Sequence, residues 1–332
     1  MRKLYLLILI LMMPAMLQAQ AVTYPNRFTV AQDGSGNYKT IQEAVNAVRD
    51  LSQQQVSIFI KKGVYHEKLV IPSWKTRISL IGEDKEHTII TNSDFSGKPN
   101  PQGKDAFAKD TFTTYTSYTV LVQGNDFTAE NLTIANAAGQ VGQAVALHIE
   151  GDRCAVINCR LLGNQDTLYA ATEGSRQLYK DCYIEGTTDF IFGEATAVFQ
   201  HCVINSLKNS FITAPATTPR QQFGLVFFDC TLVAADTSVN KVYLGRPWRP
   251  YAKAVYINTI MGSHILKEGW DNWRNPENEK TAFFAEYQSK GNGADVKGRV
   301  LWSHPLSAAD FEKYTIKNIL AGNDNWDVSS IK

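Results

Sequence analysis

Apolar and polar residues alternate with period 2 in short segments that recur along the middle of the chain. The clearest are Asn131-Leu132-Thr133-Ile134, Asn158-Cys159-Arg160-Leu161, Asp181-Cys182-Tyr183-Ile184, His201-Cys202-Val203-Ile204 and Asp229-Cys230-Thr231-Leu232. Each places a polar residue first, then an apolar one, a free position and a second apolar one, the signature of a half-buried strand. First residues at 131, 158, 181, 201 and 229 put successive copies 27, 23, 20 and 28 residues apart. An all-β repeat of that length predicts a solenoid of stacked parallel strands, with loops of unequal length leaving each rung. A β-sandwich is the alternative. It calls for turn signals every ~8–12 residues and for hairpin dipeptides, and here Asp33-Gly34 stands alone.

A solenoid needs covers on its exposed ends. Thr40 to Arg49 predicts one. Thr40 can be the N-cap, Glu43 completes a capping box, and Ile41, Ala44, Val45 and Val48 form one apolar face. Ser307 to Leu320 predicts a second helix-like cover, with Phe311, Ile316 and Leu320 inward. No Gly/Ser-rich or Pro-rich linker divides the chain, so residues 22–332 read as a single domain.

The first 21 residues read differently. Arg2 and Lys3 precede an apolar run, Leu4 to Leu17, and Ala19-Gln20-Ala21 offers a small-residue cleavage site. This has the make-up of a secretory signal peptide and is too short for a spanning helix. The expectation is an exported protein, periplasmic or secreted, with no membrane span.

Among 332 residues, 44% hydrophobic and 20% charged, there is ample material for a core without staples. Without the leader, Lys+Arg falls from 33 to 31 against 32 acids, a net charge of −1. No bulk field would hold a polyanion, which argues against nucleic acid as a partner. Four of the five cysteines, Cys159, Cys182, Cys202 and Cys230, hold one position in consecutive repeats. They are either small buried apolar residues or disulfide partners, Cys182–Cys202 being the first pair to test. No cysteine has zinc spacing with histidine. The histidines (His66, His87, His148, His201, His264, His304) show neither metal spacing nor a serine partner and read as structural or exposed. No metal or cofactor is expected.

Two aspartates stand out chemically. Asp166 lies in Gln165-Asp166-Thr167-Leu168-Tyr169, and Asp189 in Gly186-Thr187-Thr188-Asp189-Phe190-Ile191-Phe192-Gly193. A carboxylate in such apolar sequence is costly unless partnered or protonated, a cost tolerated where it does chemistry. A turn-forming aspartate is the plainer reading, and Thr167 could serve it with a local hydrogen bond.

With these segments the chain resembles the pectin methylesterases (pectinesterases). The resemblance runs in order through Val30-Ala31-Gln32-Asp33-Gly34-Ser35-Gly36, Gly63-Val64-Tyr65-His66-Glu67 and Gln143-Ala144-Val145-Ala146-Leu147. It continues through both aspartate segments, Leu244-Gly245-Arg246-Pro247-Trp248 and Glu268-Gly269-Trp270-Asp271-Asn272-Trp273. It implies an all-β fold, a right-handed parallel β-helix, and hydrolysis of the C6 methyl ester of galacturonate in pectin by a monomer. It also implies roles: Asp189 as nucleophile, Asp166 as general acid/base, Arg246 as the residue that orients Asp189, and Gln143 and Gln165 as oxyanion donors. Trp248, Phe192 and Thr114 are implied substrate contacts. Tyr169 and Trp273 are aromatic candidates for a sugar cleft, with core packing as the alternative. Asn164 and Thr188 depart from the family pattern without removing a catalytic group. No inhibitor-like helical segment is read ahead of the domain. A lyase or glycoside hydrolase on the same fold, or an inert glycan-binding solenoid, are the competing functions; the first would want a calcium-binding acidic cluster, the second a carboxylate pair across a glycosidic bond.

Overall fold

The repeating segments pair in parallel, copy on copy. In a computed structural model describing residues 23–105 and 107–329, Leu161 pairs with Ile184, Ile184 with Ile204, and Ile204 with Leu232. The leader-like segment 1–21 lies outside the described residues. Seven complete coils each contribute one strand to each of three parallel sheets, and incomplete coils at the two ends bring the sheets to eleven, eight and seven strands. One coil reads Arg176–Lys180, Tyr183–Gly186, Ile191–Gly193; the next reads Thr196–Gln200, Val203–Ser206, Phe211–Pro215. This is the right-handed parallel β-helix expected.

The polar residue that opens each repeat turns the corner between the first and second sheets. Asn131, Asn158, Asp181, His201 and Asp229 all have φ between 48° and 57°. Asn and Asp tolerate this left-handed conformation best among residues with a side chain. Asn158 also donates to Asn131 Oδ1 at 3.1 Å, so the corners are tied to one another. The apolar positions that follow point into the coil. Inside, aromatic rings stack rung on rung: Tyr179 on Phe199 at 4.7 Å, Phe199 on Phe227 at 4.5 Å, Phe227 on Tyr256 at 4.4 Å.

The stacked cysteines are buried free thiols. Cys182, Cys202 and Cys230 donate to backbone carbonyls of the preceding coil at 3.3–3.4 Å. The Cys182–Cys202 disulfide is therefore not formed. In register, neighbouring side chains leave their strands side by side about 4.8 Å apart, whereas a disulfide needs Cβ atoms converging to about 3.8 Å.

At the N-terminal end, the helix Ile41–Ala47 covers the first coil with Ile41, Ala44 and Val45 buried. Its capping box is formed as expected, and the Glu67 carboxylate accepts the Ile41 and Gln42 N–H groups, both at 2.9 Å. The second expected cover is corrected in two respects. Residues 307–320 form two short helices, Ala308–Phe311 and Ile316–Leu320, rather than one. They do not close the end of the coil. They lie along the outer face of the eleven-stranded sheet, over Leu178, Val198, Val226 and Ile257. That face is unusually apolar for an outer surface, and the segment shields it from water. The C-terminal end is covered instead by Val300 and Trp302, the latter 5.8 Å from Phe284. No helix among the described residues is long and apolar enough to cross a membrane.

Candidate active site

Loops that leave the seven-stranded sheet enclose a cleft of about 340 Å³. Successive rungs deliver its side chains. Gln143 and Gln165 form a parallel bridge ahead of the strands Leu147–Ile149 and Leu168–Ala170. Asp166 and Asp189 occupy matching places one rung apart, each just before its strand and each at positive φ, 65° and 49°. Asp166 N–H donates to Thr188 O at 3.1 Å and Asp189 N–H to Phe211 O at 2.8 Å, so each backbone is pinned to the next rung. Thr167 does not serve Asp166: its hydroxyl donates to Asn164 O and Glu185 O.

Arg246 reaches back two rungs to Asp189. Nε donates to Oδ1 at 2.9 Å and Nη2 to Oδ2 at 2.7 Å. The guanidinium is held between two rings, Trp273 at 3.7 Å and Phe211 at 3.9 Å from Cζ to ring centre. Such a sandwich fixes the plane of the fork and excludes water from it.

Both carboxyls are buried, Asp166 7% and Asp189 5% exposed. Burial, and secondarily the charge of Asp189, pushes Asp166 well above the usual carboxylate range; Arg246 opposes this only weakly. Burial also raises Asp189, but there the hydrogen bonds and charge of Arg246 pull it back. The pair is thus split, with Asp166 the group that keeps its proton to higher pH. Among the described residues, neither the Gln143 nor the Gln165 side-chain amide is hydrogen-bonded within the protein, and both line the cleft.

Thr114, on the 3-10 turn Thr114–Thr116, lines the cleft together with Phe192, Trp248 and Trp273. Tyr169 does not. It stacks flat on Phe192 at 4.5 Å and lines a neighbouring cavity instead. The sequence reading missed Tyr115, which lines the cleft, and Phe211, the second face of the Arg246 sandwich. Phe211 opens the strand one rung after Asp189, so counting one repeat onward from the motif would have found it. Thr188, a departure from the family pattern, shares a hydrogen bond of 2.8 Å with Ser210.

The pectinesterase family profile matches residues 27–323. Pectinesterase 31 of Arabidopsis thaliana is 40% identical over 83% of this chain and 86% of its own length. A pectinesterase of Petunia integrifolia is 36% identical over 90% of this chain and 80% of its own length. The probable pectinesterase/pectinesterase inhibitor 21 of Arabidopsis thaliana is 38% identical over 89% of this chain, but the match spans only 44% of that protein. Among solved structures, the pectin methylesterase from carrot superposes with a TM-score of 0.81 at 34% identity, covering 92% of this chain and 96% of that one. The pectin methylesterase from Erwinia chrysanthemi gives 0.76 at 31% identity, covering 92% and 99%. The match runs through the whole coil and both aspartate segments, and the chain belongs to the pectinesterase family.

Proposed function

We propose that this chain removes methyl groups from pectin by a covalent route centred on Asp189. The observation that carries this reading is the bidentate Arg246–Asp189 pair beside a buried, proton-retaining Asp166. The Asp189 carboxylate attacks the C6 carbonyl carbon of a methylated galacturonate. The oxyanion that forms accepts N–H groups from Gln143 and Gln165; one such donor contributes roughly 3 kcal/mol to the transition state. The intermediate collapses, the C–O bond to methoxide breaks, and Asp166 gives its proton to the leaving oxygen. Methanol departs and an anhydride joins Asp189 to the sugar. Asp166, now ionised, takes a proton from water as the hydroxide attacks the same carbonyl. The Asp189 carboxylate is expelled from that carbonyl, the galacturonic acid so formed gives its proton to solvent and departs as the carboxylate, and Asp166 is protonated again.

Phe192, Trp248 and Trp273 offer ring faces to the pyranose, and Thr114 a hydroxyl. Arg2, Lys3 and the apolar run to Leu17 support an exported, periplasmic or secreted enzyme, which we read as acting as a monomer on an extracellular polymer. The test is methanol release from highly methylated pectin by wild type and by Asp189→Asn. The same samples are assayed for unsaturated uronate and for new reducing ends. Methanol from wild type alone, without chain cleavage, is expected. Equal release by Asp189→Asn would remove the nucleophile assignment, and unsaturated ends would indicate a lyase.

A further inference from the structure

The two glutamines of the cleft are followed, on the next rung, by Thr188. Gln143 and Gln165 pair across neighbouring rungs, and Thr188 precedes Asp189 as Gln165 precedes Asp166. The first two rungs present amides to the cleft; the third presents a hydroxyl that does not line it. That hydroxyl turns to the rung beyond and shares a 2.8 Å hydrogen bond with the Ser210 hydroxyl. Among the described residues this is the one side-chain hydrogen bond that either Thr188 or Ser210 makes. Neither hydroxyl has a part in the covalent route.

What the bond holds is the peptide plane between Thr188 and Asp189. The Thr188 C=O accepts the Asp166 N–H at 3.1 Å, and the Asp189 N–H donates to Phe211 O at 2.8 Å. A peptide unit is rigid and planar, so a single plane joins the backbone of the acid to that of the nucleophile and to the residue whose ring faces Arg246. Ser210 extends the link. Its C=O accepts the Tyr243 N–H at 2.9 Å, and Tyr243 opens the strand Tyr243–Gly245 that leads to Arg246. Asp189 itself stands at φ 49°. An Asp in the left-handed region is kept there by its surroundings, not by its own preference. Rotation of the plane would relax φ and carry the carboxylate off the Arg246 fork.

Resting on the pectinesterase reading, we propose that Thr188 and Ser210 are positioning residues for the ester hydrolysis: their hydroxyl bond locks the Thr188–Asp189 plane and keeps the Asp189 carboxylate aligned with both Arg246 and the ester carbon. A misplacement of ~1 Å at reacting atoms can cost about 10²-fold in rate. Neither residue touches the sugar, so the effect falls on kcat and leaves KM alone.

The experiment measures kcat and KM for methanol release by wild type, Thr188→Val, Ser210→Ala, the double variant and Thr188→Ser. In Thr188→Val and Ser210→Ala kcat should fall about five-fold, the factor of one ordinary hydrogen bond, with KM unchanged. The double variant should lose no more than either single one, since both changes remove the same bond. Thr188→Ser keeps the hydroxyl and should recover most of the loss. Thermal melts check folding, and Ser210→Ala, which deletes one oxygen, carries the test if Thr188→Val does not fold. A kcat equal to wild type in folded variants overturns the proposal. So do losses that multiply in the double variant, a rise in KM that accounts for the loss, or a Thr188→Ser no better than Thr188→Val. No methanol from wild type would overturn the pectinesterase reading and the positioning pair with it, whereas an active wild type with unaffected variants overturns the pair alone.

Discussion

Arg246 and Asp189, 57 residues apart in sequence, meet as a two-point fork at 2.9 and 2.7 Å with the guanidinium clamped between aromatic rings. The fork opposes the effect of burial on Asp189, so the strength of this contact sets the lower end of the pH range in which Asp189 is ionised. Arg246→Lys keeps a positive charge but loses the planar fork and the ring stacking. kcat should fall by roughly 10²-fold. With less to oppose burial, Asp189 should titrate at higher pH. A pH profile of kcat/KM with its acid limb moved upward is the expected result; a limb that stays in place would show that Asp189 does not set it.

Phe211 touches no reacting atom in this scheme, yet it forms one face of the sandwich. Replacing it by Leu removes a cation–π contact worth about 1–2 kcal/mol at a partly desolvated site. The expected outcome is a loss of about ten-fold in kcat/KM, with the pH profile displaced in the same direction as for Arg246→Lys. A purely structural role would lower the melting temperature and leave the profile alone.

Asp166→Asn should be inactive and more stable. A carboxyl raised on folding binds more protons in the native state than in the unfolded one. Stability therefore falls as pH rises above the unfolded value, about 3.9 for Asp, until the folded group itself ionises. The neutral amide escapes that loss. Melting curves from pH ~4 to ~8 should start together and separate with rising pH, Asp166→Asn above wild type. Parallel curves would mean that burial of Asp166 costs the fold nothing.

Gly193 closes the Asp189 strand at φ 128°, and a Cβ there would stand 2.0 Å from Ala170 O. No side chain fits without moving the rung that carries Asp166. Gly193→Ala should destabilise by at least about 2 kcal/mol and reduce activity, seen as a lower denaturation midpoint. A midpoint within error of wild type would mean the rungs can separate locally at little cost.

The thiol ladder should be indifferent to reductant. With all five cysteines free and buried, the melting temperature of the purified protein should be the same with and without dithiothreitol. A drop on reduction would reveal a bridge, Cys182–Cys202 first.

Much of this protein was legible in its sequence because a solenoid writes its fold locally. Period-2 alternation gave the strands of the second sheet. The polar residue at the head of each repeat, Asn131 through Asp229, proves to be the corner: a left-handed turn favours Asn and Asp, which fill four of the five places, His201 the other. Thr40 and Glu43 marked the N-terminal cover through bonds closed within one helical turn. The segments around Asp166 and Asp189 announced costly carboxylates by their apolar surroundings. Contacts between rungs were beyond that local grammar. Which residue two coils on reaches Asp189 depends on loop lengths and on how coils stack, so Phe211 and Tyr115 went unnoticed and the cavity that Tyr169 lines, beside the catalytic cleft, could not be told from the cleft itself. The C-terminal segment has the apolar period of a cover. Only packing against Leu178, Val198 and Val226 decided that it lies along the sheet rather than across its end. Cysteines in register can be read as near neighbours. Whether they bond depends on the direction of their Cβ vectors, which parallel strands hold side by side. Period and turn chemistry are properties of neighbours in the chain, whereas the fork on Asp189 and the cavity beside it belong to neighbours in space.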